Sequence, residues 1–231
     1  VADFHGAVLD SRLTATRFRR GISTYNGLRG TSGDGNRTLW NTSISYPLMG
    51  SYWFITPKIT YSLTHYNDIK HARAEIDKSS TRSLPIYSLD TGLIFERNST
   101  VFGRETEQTL EPRLFYAYIP YRNQRHMPNF DSSSADLNFA ELFTPNKYTG
   151  FDRIANTNQL SAVLTTRYID SGTGKEWFSA TVGQRYYFTD EKVDLYWSNP
   201  GKTKNRSDVL AASQFSLFEG WRLEGAIQYS T

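Results

Sequence analysis

Residues Leu110–Gln124 read LEPRLFYAYIPYRNQ. The centre has the composition of a strand, yet Glu111 and Arg113 stand among large apolar residues. Side chains of an extended chain alternate between two faces, and that period resolves the conflict. Leu110, Pro112, Leu114, Tyr116 and Tyr118 fall on one side, which is wholly apolar or aromatic. Glu111, Arg113, Phe115, Ala117 and Ile119 fall on the other, which is mixed.

The same design recurs along the chain. Trp40–Tyr46, Ile59–Leu63, Tyr87–Phe95, Leu160–Leu164, Phe178–Phe188 and Trp221–Tyr229 each alternate apolar with polar positions; Val209–Leu217 does so more weakly. With a first strand placed within Phe4–Arg19, the pattern predicts nine strands. They are about as long as the ~9–11 residues of a tilted membrane strand, and several are longer, whereas soluble strands more often run ~5–6. Short turns are expected at Pro47–Ser51, Asn98–Thr100, Asp170–Lys175 and Phe218–Gly220. Long loops are expected at Gly21–Asn36, Asn67–Leu84, Pro120–Asn156 and Thr189–Ser207. Short and long connections alternate strictly, which is the wiring of an outer-membrane barrel.

Composition agrees. Aromatic residues make up 15% of the 231, while the mean hydropathy is −0.55, so apolarity is hidden in alternation. No window approaches the ~20 apolar residues of a spanning helix. The net charge of +3 is scattered and makes no basic face for nucleic acid. The absence of cysteine excludes disulfides and thiolate metal sites within these residues. VADFHGAVLD lacks the basic and apolar regions of a signal peptide. The expected fold is therefore all-β: an antiparallel transmembrane β-barrel. Closed bacterial barrels normally have an even strand number, so nine strands are expected to be a segment of a larger one. Residues 1–231 form one such segment, with a long extracellular loop at 120–156.

Asp90, Glu96, Glu111, Arg113, Arg167, Arg185, Arg222 and Glu224 share the mixed face. Arg or Lys facing lipid at mid-membrane costs ~2–4 kcal/mol, so this face is expected to line the lumen, chiefly as ion pairs and hydrogen bonds. Pro112 cannot donate to a ladder; a bulge or a weakened hydrogen bond is expected there, unless the strand begins at Arg113. Pro120–Asn156 carries six large aromatic residues, more than a merely solvated loop needs, and is expected to pack as a cap over or into the barrel mouth.

Catalytic patterns are wanting: there is no GxSxG, HExxH or P-loop. His65 with His71, and Asp131, Ser133, Asp136 with Glu141, are weak metal-site patterns, the second lacking an EF-hand glycine. Neither a metal nor a cofactor is expected.

Phe102–Gln124 (FGRETEQTLEPRLFYAYIPYRNQ), Pro128–Arg167, Val182–Phe188 (VGQRYYF) and Ser88–Arg97 (SLDTGLIFER) resemble the barrel domain of the LptD (OstA/Imp) family. The resemblance implies a part of the outer-membrane translocon that inserts lipopolysaccharide into the outer leaflet, without covalent chemistry. It also implies an LptE-like lipoprotein plug in the lumen. An LptA-like periplasmic bridge would deliver through a jelly-roll domain that is absent from these residues. By analogy Tyr121, Arg122, Asn123, Asp131, Asp152 and Arg153 would cap the lumen or touch the plug. The alternative is an outer-membrane porin or substrate-specific diffusion channel. A barrel lipase lacks a clear nucleophile and base, and a soluble sandwich does not explain the strand lengths.

Overall fold

A computed structural model describes residues 2–4, 6–19, 33–70, 72, 74–195, 204–218 and 220–230. Among them lie twelve strands: β1 (Ala2–Phe4), β2 (Ala7–Phe18), β3 (Asp34–Ser45), β4 (Leu48–Met49), β5 (Trp53–Lys70), β6 (Ser80–Leu93), β7 (Phe95–Val101), β8 (Arg104–Ile119), β9 (Thr157–Asp170), β10 (Glu176–Tyr187), β11 (Val209–Phe218) and β12 (Trp221–Tyr229). One 3-10 turn spans Glu141–Phe143. All belong to one antiparallel meander ordered β1-β2-β3-β5-β6-β8-β9-β10-β11-β12, with β4 on β5 and β7 on β8. β1 and β12 are its two edges.

The nine predicted strands are β2, β3, β5, the β6–β7 line, β8, β9, β10, β11 and β12; β1 is an added hairpin arm. Pro112 explains why β6 and β7 are two strands. The ladder to β8 stops at Gly92↔Arg113 and resumes at Phe95↔Leu110, with no change of register. Proline removes a ladder bond at this point, and the Ile94 N–H turns instead to the Tyr52 carbonyl at 2.8 Å. The hydrogen bond is lost without a bulge, and β8 runs straight through Pro112 to pair it with Leu164. Pro57 does the same to β3 and β4, whose pairing with β5 breaks opposite it.

Connections differ from expectation at several points, the expected turn Pro47–Ser51 among them, since β4 (Leu48–Met49) lies inside it and pairs with β5. Asn98–Thr100 has turn composition but lies inside β7; the turn is Phe102–Gly103, with φ of 51° and 77°. A two-residue hairpin with both φ positive matches the twist of its strands, and Gly103 adopts such a conformation without strain. β5 and β6 extend to Lys70 and back from Ser80, so the loop expected at Asn67–Leu84 shrinks to residues 71–79. Polar residues pair their backbones as readily as apolar ones, and hydropathy alone misplaced that boundary. Most of Gly21–Asn36, and the middle of Thr189–Ser207, lie outside the described residues.

Burial is inverted relative to a soluble sheet. On β8, Leu114 and Tyr116 are 44% and 37% exposed, while Phe115 and Ala117 beside them are 6% and 0%. Leu13, Trp40, Ile44, Ile59, Tyr61, Leu89, Val182 and Ile227 are exposed as well, whereas Arg37, Ser62, Thr64, Arg82, Ser161 and Arg185 are buried. The covered face, called inner below, is polar; the bare face is apolar. We expect Leu114→Arg in the full-length parent to cost about 2–4 kcal/mol of folding free energy in bilayers. Denaturant titration measures it, and an unchanged midpoint would contradict a lipid-facing Leu114.

Candidate functional site

Residues 120–156 fold back over the inner face as a packed cap. Four small apolar clusters join cap to wall or to the next loop. Met127 packs with Tyr66 and Ile69. Ile154 packs with Leu84 and Ile119, Leu142 with Val163 and Leu210, and Tyr148 and Ala155 with Val193 and Leu195. The wall leaves room for this. A Cβ on Gly183 would sit 2.8 Å from Leu142 Cδ1, and one on Gly150 (φ 69°) would sit 2.4 Å from the Asp131 carbonyl oxygen.

Polar contacts fix the cap's position. Asp152 is fully buried. Its Oδ1 accepts from Arg37 Nη1 on β3 and from the Tyr66 hydroxyl on β5, each at 2.8 Å. Its Oδ2 accepts the N–H groups of Phe130 at 2.6 Å and Asp131 at 2.8 Å. Arg37 also grips Asp131 with both terminal nitrogens, at 2.8 and 2.7 Å. Arg82 on β6 donates to the carbonyls of Asp152 and Phe151, each at 2.7 Å, and to Gln124 Oε1 at 2.9 Å. Gln124 Nε2 returns a bond to the Ile154 carbonyl at 2.7 Å. Arg153 turns inward to the carbonyls of Met127 and Pro128, each at 2.8 Å. On β9 and β10, Gln159 donates to the Thr144 carbonyl at 3.1 Å, and Arg185 to the Glu141 carbonyl.

The titratable groups of the cap feel this burial. For Asp131, burial pushes the carboxyl up, but the Arg37 hydrogen bond and the Phe151 N–H prevail and hold it at about 2. Burial first, then Asp131 beside it, pushes Asp152 up. Burial also lowers Arg153, whose guanidinium donates to carbonyls, and raises Tyr148, which lies beside Glu191.

Toward the short turns the inner face carries a second layer. Arg113 holds Asp90 bidentately at 2.8 and 2.5 Å and lies 3.7 Å over the Phe143 ring. Arg167 bridges Glu111 at 3.0 Å and Glu176 at 2.8 Å.

Cross-strand register puts all eight predicted face residues on the inner side. Asp90 is opposite Phe115, Glu96 opposite Thr109, Arg167 opposite Ser179, Arg185 opposite Ser161, and Glu224 opposite Gln214. They are not one ladder. Arg113 with Asp90 and Arg167 with Glu111 form two separate groups, Arg185 serves the cap, Arg222 and Glu224 make an exposed pair at 3.6 Å, and Glu96 is exposed.

The predicted loop residues divide too. Tyr121, Arg122 and Asn123 are exposed beyond the end of β8, with Arg122 Nε 3.4 Å from the Ser83 carbonyl. Asp131 is partly exposed. Asp152 and Arg153 are buried inside the cap, bonded to wall and cap groups. Among the described residues the second metal pattern does not assemble. Asp131 is held by Arg37, the Glu141 carboxylate accepts from the Thr144 hydroxyl at 2.8 Å, and His65 contacts Thr81 at 2.8 Å; His71 lies outside the described residues.

Sequence reading missed Arg37, Tyr66, Arg82 and Gln124. Arg82 did carry a signal, because the alternation of Tyr87–Phe95 continued backward places Arg82, Leu84 and Ile86 on the inner face.

A meander with an apolar bare face and a polar face sealed by its own loop is a wall segment of a transmembrane β-barrel. Among protein families, the profile described as "LptD: LPS transport system D" matches residues 3–231. The LPS-assembly protein LptD of Paraburkholderia xenovorans is 42% identical over 214 residues, covering 89% of this chain and 27% of the relative. That of Cupriavidus metallidurans is 40% identical over 233 residues, covering 99% and 28%. That of Thiobacillus denitrificans is 40% identical over 201 residues, covering 87% and 27%. The chain belongs to the LptD family and spans about a quarter of the length of these relatives.

Truncating Asp152 to Ala leaves Tyr66 and two backbone N–H groups without their acceptor and Arg37 with Asp131 alone, and loss of one partner from a buried ion pair costs about 3–5 kcal/mol. The expected outcome is a cap that opens to limited proteolysis between Gln124 and Arg153, while Asn123→Ala leaves the digestion pattern unchanged. Equal protection of the two variants would refute the tether.

Proposed function

We propose that this chain is a stretch of barrel wall, with its extracellular cap, in an outer-membrane translocon that inserts lipopolysaccharide into the outer leaflet. The observation that carries the reading is the inverted burial of a sheet belonging to the LptD family. The relatives' name, LPS-assembly protein, supplies the cargo. In barrels of this class tight turns face the periplasm and long loops the exterior, which puts the cap at the outer mouth.

The inner face suits a hydrophilic lumen beside which acyl chains travel separately, and among the described residues nothing in it resembles a nucleophile with its base. An LptE-like plug is the partner that fits the lumen. Of the residues first considered for it, Tyr121, Arg122 and Asn123 keep exposed surface, and Asp131 keeps a part. Delivery along an LptA-like bridge belongs to the rest of the parent. A diffusion channel is less well supported, because buried ion pairs hold the cap against the wall.

The test is made in cells depleted of the native parent and supplied with the full-length protein. Wild type restores lipopolysaccharide at the cell surface, and Arg122→Glu lowers recovery of the plug lipoprotein several-fold at equal barrel yield. If depletion leaves surface lipopolysaccharide unchanged and instead removes a small-solute conductance, the channel reading replaces this one.

A further inference from the structure

The outer face carries a feature that a smooth barrel wall does not need. Thr166, Ala180, Ser213 and Gly225 form one cross-strand row from β9 to β12, each directly opposite the next. Leu164, Val182 and Ile227 rise on the loop side of this row, and Phe178 and Phe215 on its turn side. The row and its loop-side rim line an apolar groove of about 540 Å3, with Leu110 of β8 at one end. At a strand spacing of about 4.8 Å, its floor from β8 to β12 runs about 19 Å, the scale of a fatty acyl chain. A Cβ at Gly225 would meet open space, so the backbone does not require glycine there.

A fixed cation stands at the β8 end. Arg97 on β7 is opposite Gln108, one row toward the turns from Leu110. Its Nε donates to Gln108 Oε1 at 2.7 Å, and Gln108 Nε2 donates to the Tyr168 hydroxyl at 2.7 Å and reaches Thr166 Oγ1 at 3.4 Å. The guanidinium is thereby tied to the first floor residue of the groove. Its two terminal nitrogens have no partner among the described residues, and the side chain is exposed on the lipid side. An Arg so placed at the turn-side interface complements an anion at the headgroup level.

We infer that this is a binding site for one glycerophospholipid of the turn-side leaflet. The phosphate meets Arg97, and one acyl chain lies along the row from Leu110 toward Gly225. The inference rests on the membrane-facing orientation of the sheet and not on what the parent transports.

The full-length parent, purified in mild detergent, is washed extensively, and its retained lipid is extracted and quantified by mass spectrometry. Gly225→Leu with Ala180→Leu fills the floor, and Arg97→Gln removes the charge while leaving the groove intact. Either change is expected to lower retained glycerophospholipid at least threefold, whereas Ile59→Ala, elsewhere on the same face, changes nothing. A heat-dependent gel shift confirms folding of each variant. Two results would overturn the site: phospholipid retention equal in all four proteins, or a retained lipid that is lipopolysaccharide rather than phospholipid. Surface display of lipopolysaccharide, measured on the same variants, separates failure here from failure of the transport reading.

Discussion

A single buried carboxylate organises the covered side of this wall. Asp152 has no solvent to ionise into, so it needs donors on every side, and it finds four of them in Arg37, Tyr66 and the Phe130 and Asp131 amides. Two come from neighbouring strands and two from the cap itself. A group that depends on both cannot be satisfied unless the cap is down. Burying a charge costs free energy that only complete coordination offsets. The carboxylate therefore contributes specificity more than net stability: it defines one position for a segment of 37 residues whose regular structure is a three-residue 3-10 turn and a single bridge between Ser134 and Tyr148.

Around that point the cap uses the wall's own vocabulary. Strands present Arg37, Arg82, Gln159 and Arg185 inward, and the cap answers mostly with backbone carbonyls rather than acids. Carbonyls at loop bends would otherwise lie buried without partners, an arrangement proteins avoid. The apolar clusters stay small because the inner face alternates Leu84 or Ile119 with ions and hydroxyls. Prolines serve the opposite purpose. Pro57 and Pro112 each interrupt a ladder without shifting register, so no residue is turned to the wrong face. A one-residue slip would send every charge of that strand into lipid.

The wall was legible in the sequence because period two survives any tertiary context that keeps one face in hydrocarbon. Leu114 and Tyr116 had only one tolerable orientation, and Glu111 and Arg113 followed. The sidedness of all eight ionisable residues followed from the same argument. Their partners did not, because partnership depends on which strands are adjacent and on the cap, neither of which alternation encodes. Asn98–Thr100 shows the limit from the other side: turn-like composition was overruled by a ladder that runs on to Val101. Arg37 and Arg82 were missed for a related reason. They lie where the apolar belt has ended, and polar strand and polar loop then look alike.

The meander is thus two kinds of wall in sequence. From β3 to β10 the inner face is closed by residues that come from the same chain, and Arg37, Arg82 and Arg185 are buried. On β12 every residue is exposed, and Arg222 and Glu224 form a pair across 3.6 Å. An exposed pair of that kind adds little stability. Register alone keeps those two residues inward, set by the β11 ladder and by the apolar alternation of Trp221, Leu223 and Ile227. Sidedness and closure are therefore independent properties here. The first is written into each strand and needs no neighbour, while the second exists only where residues 120–156 can reach.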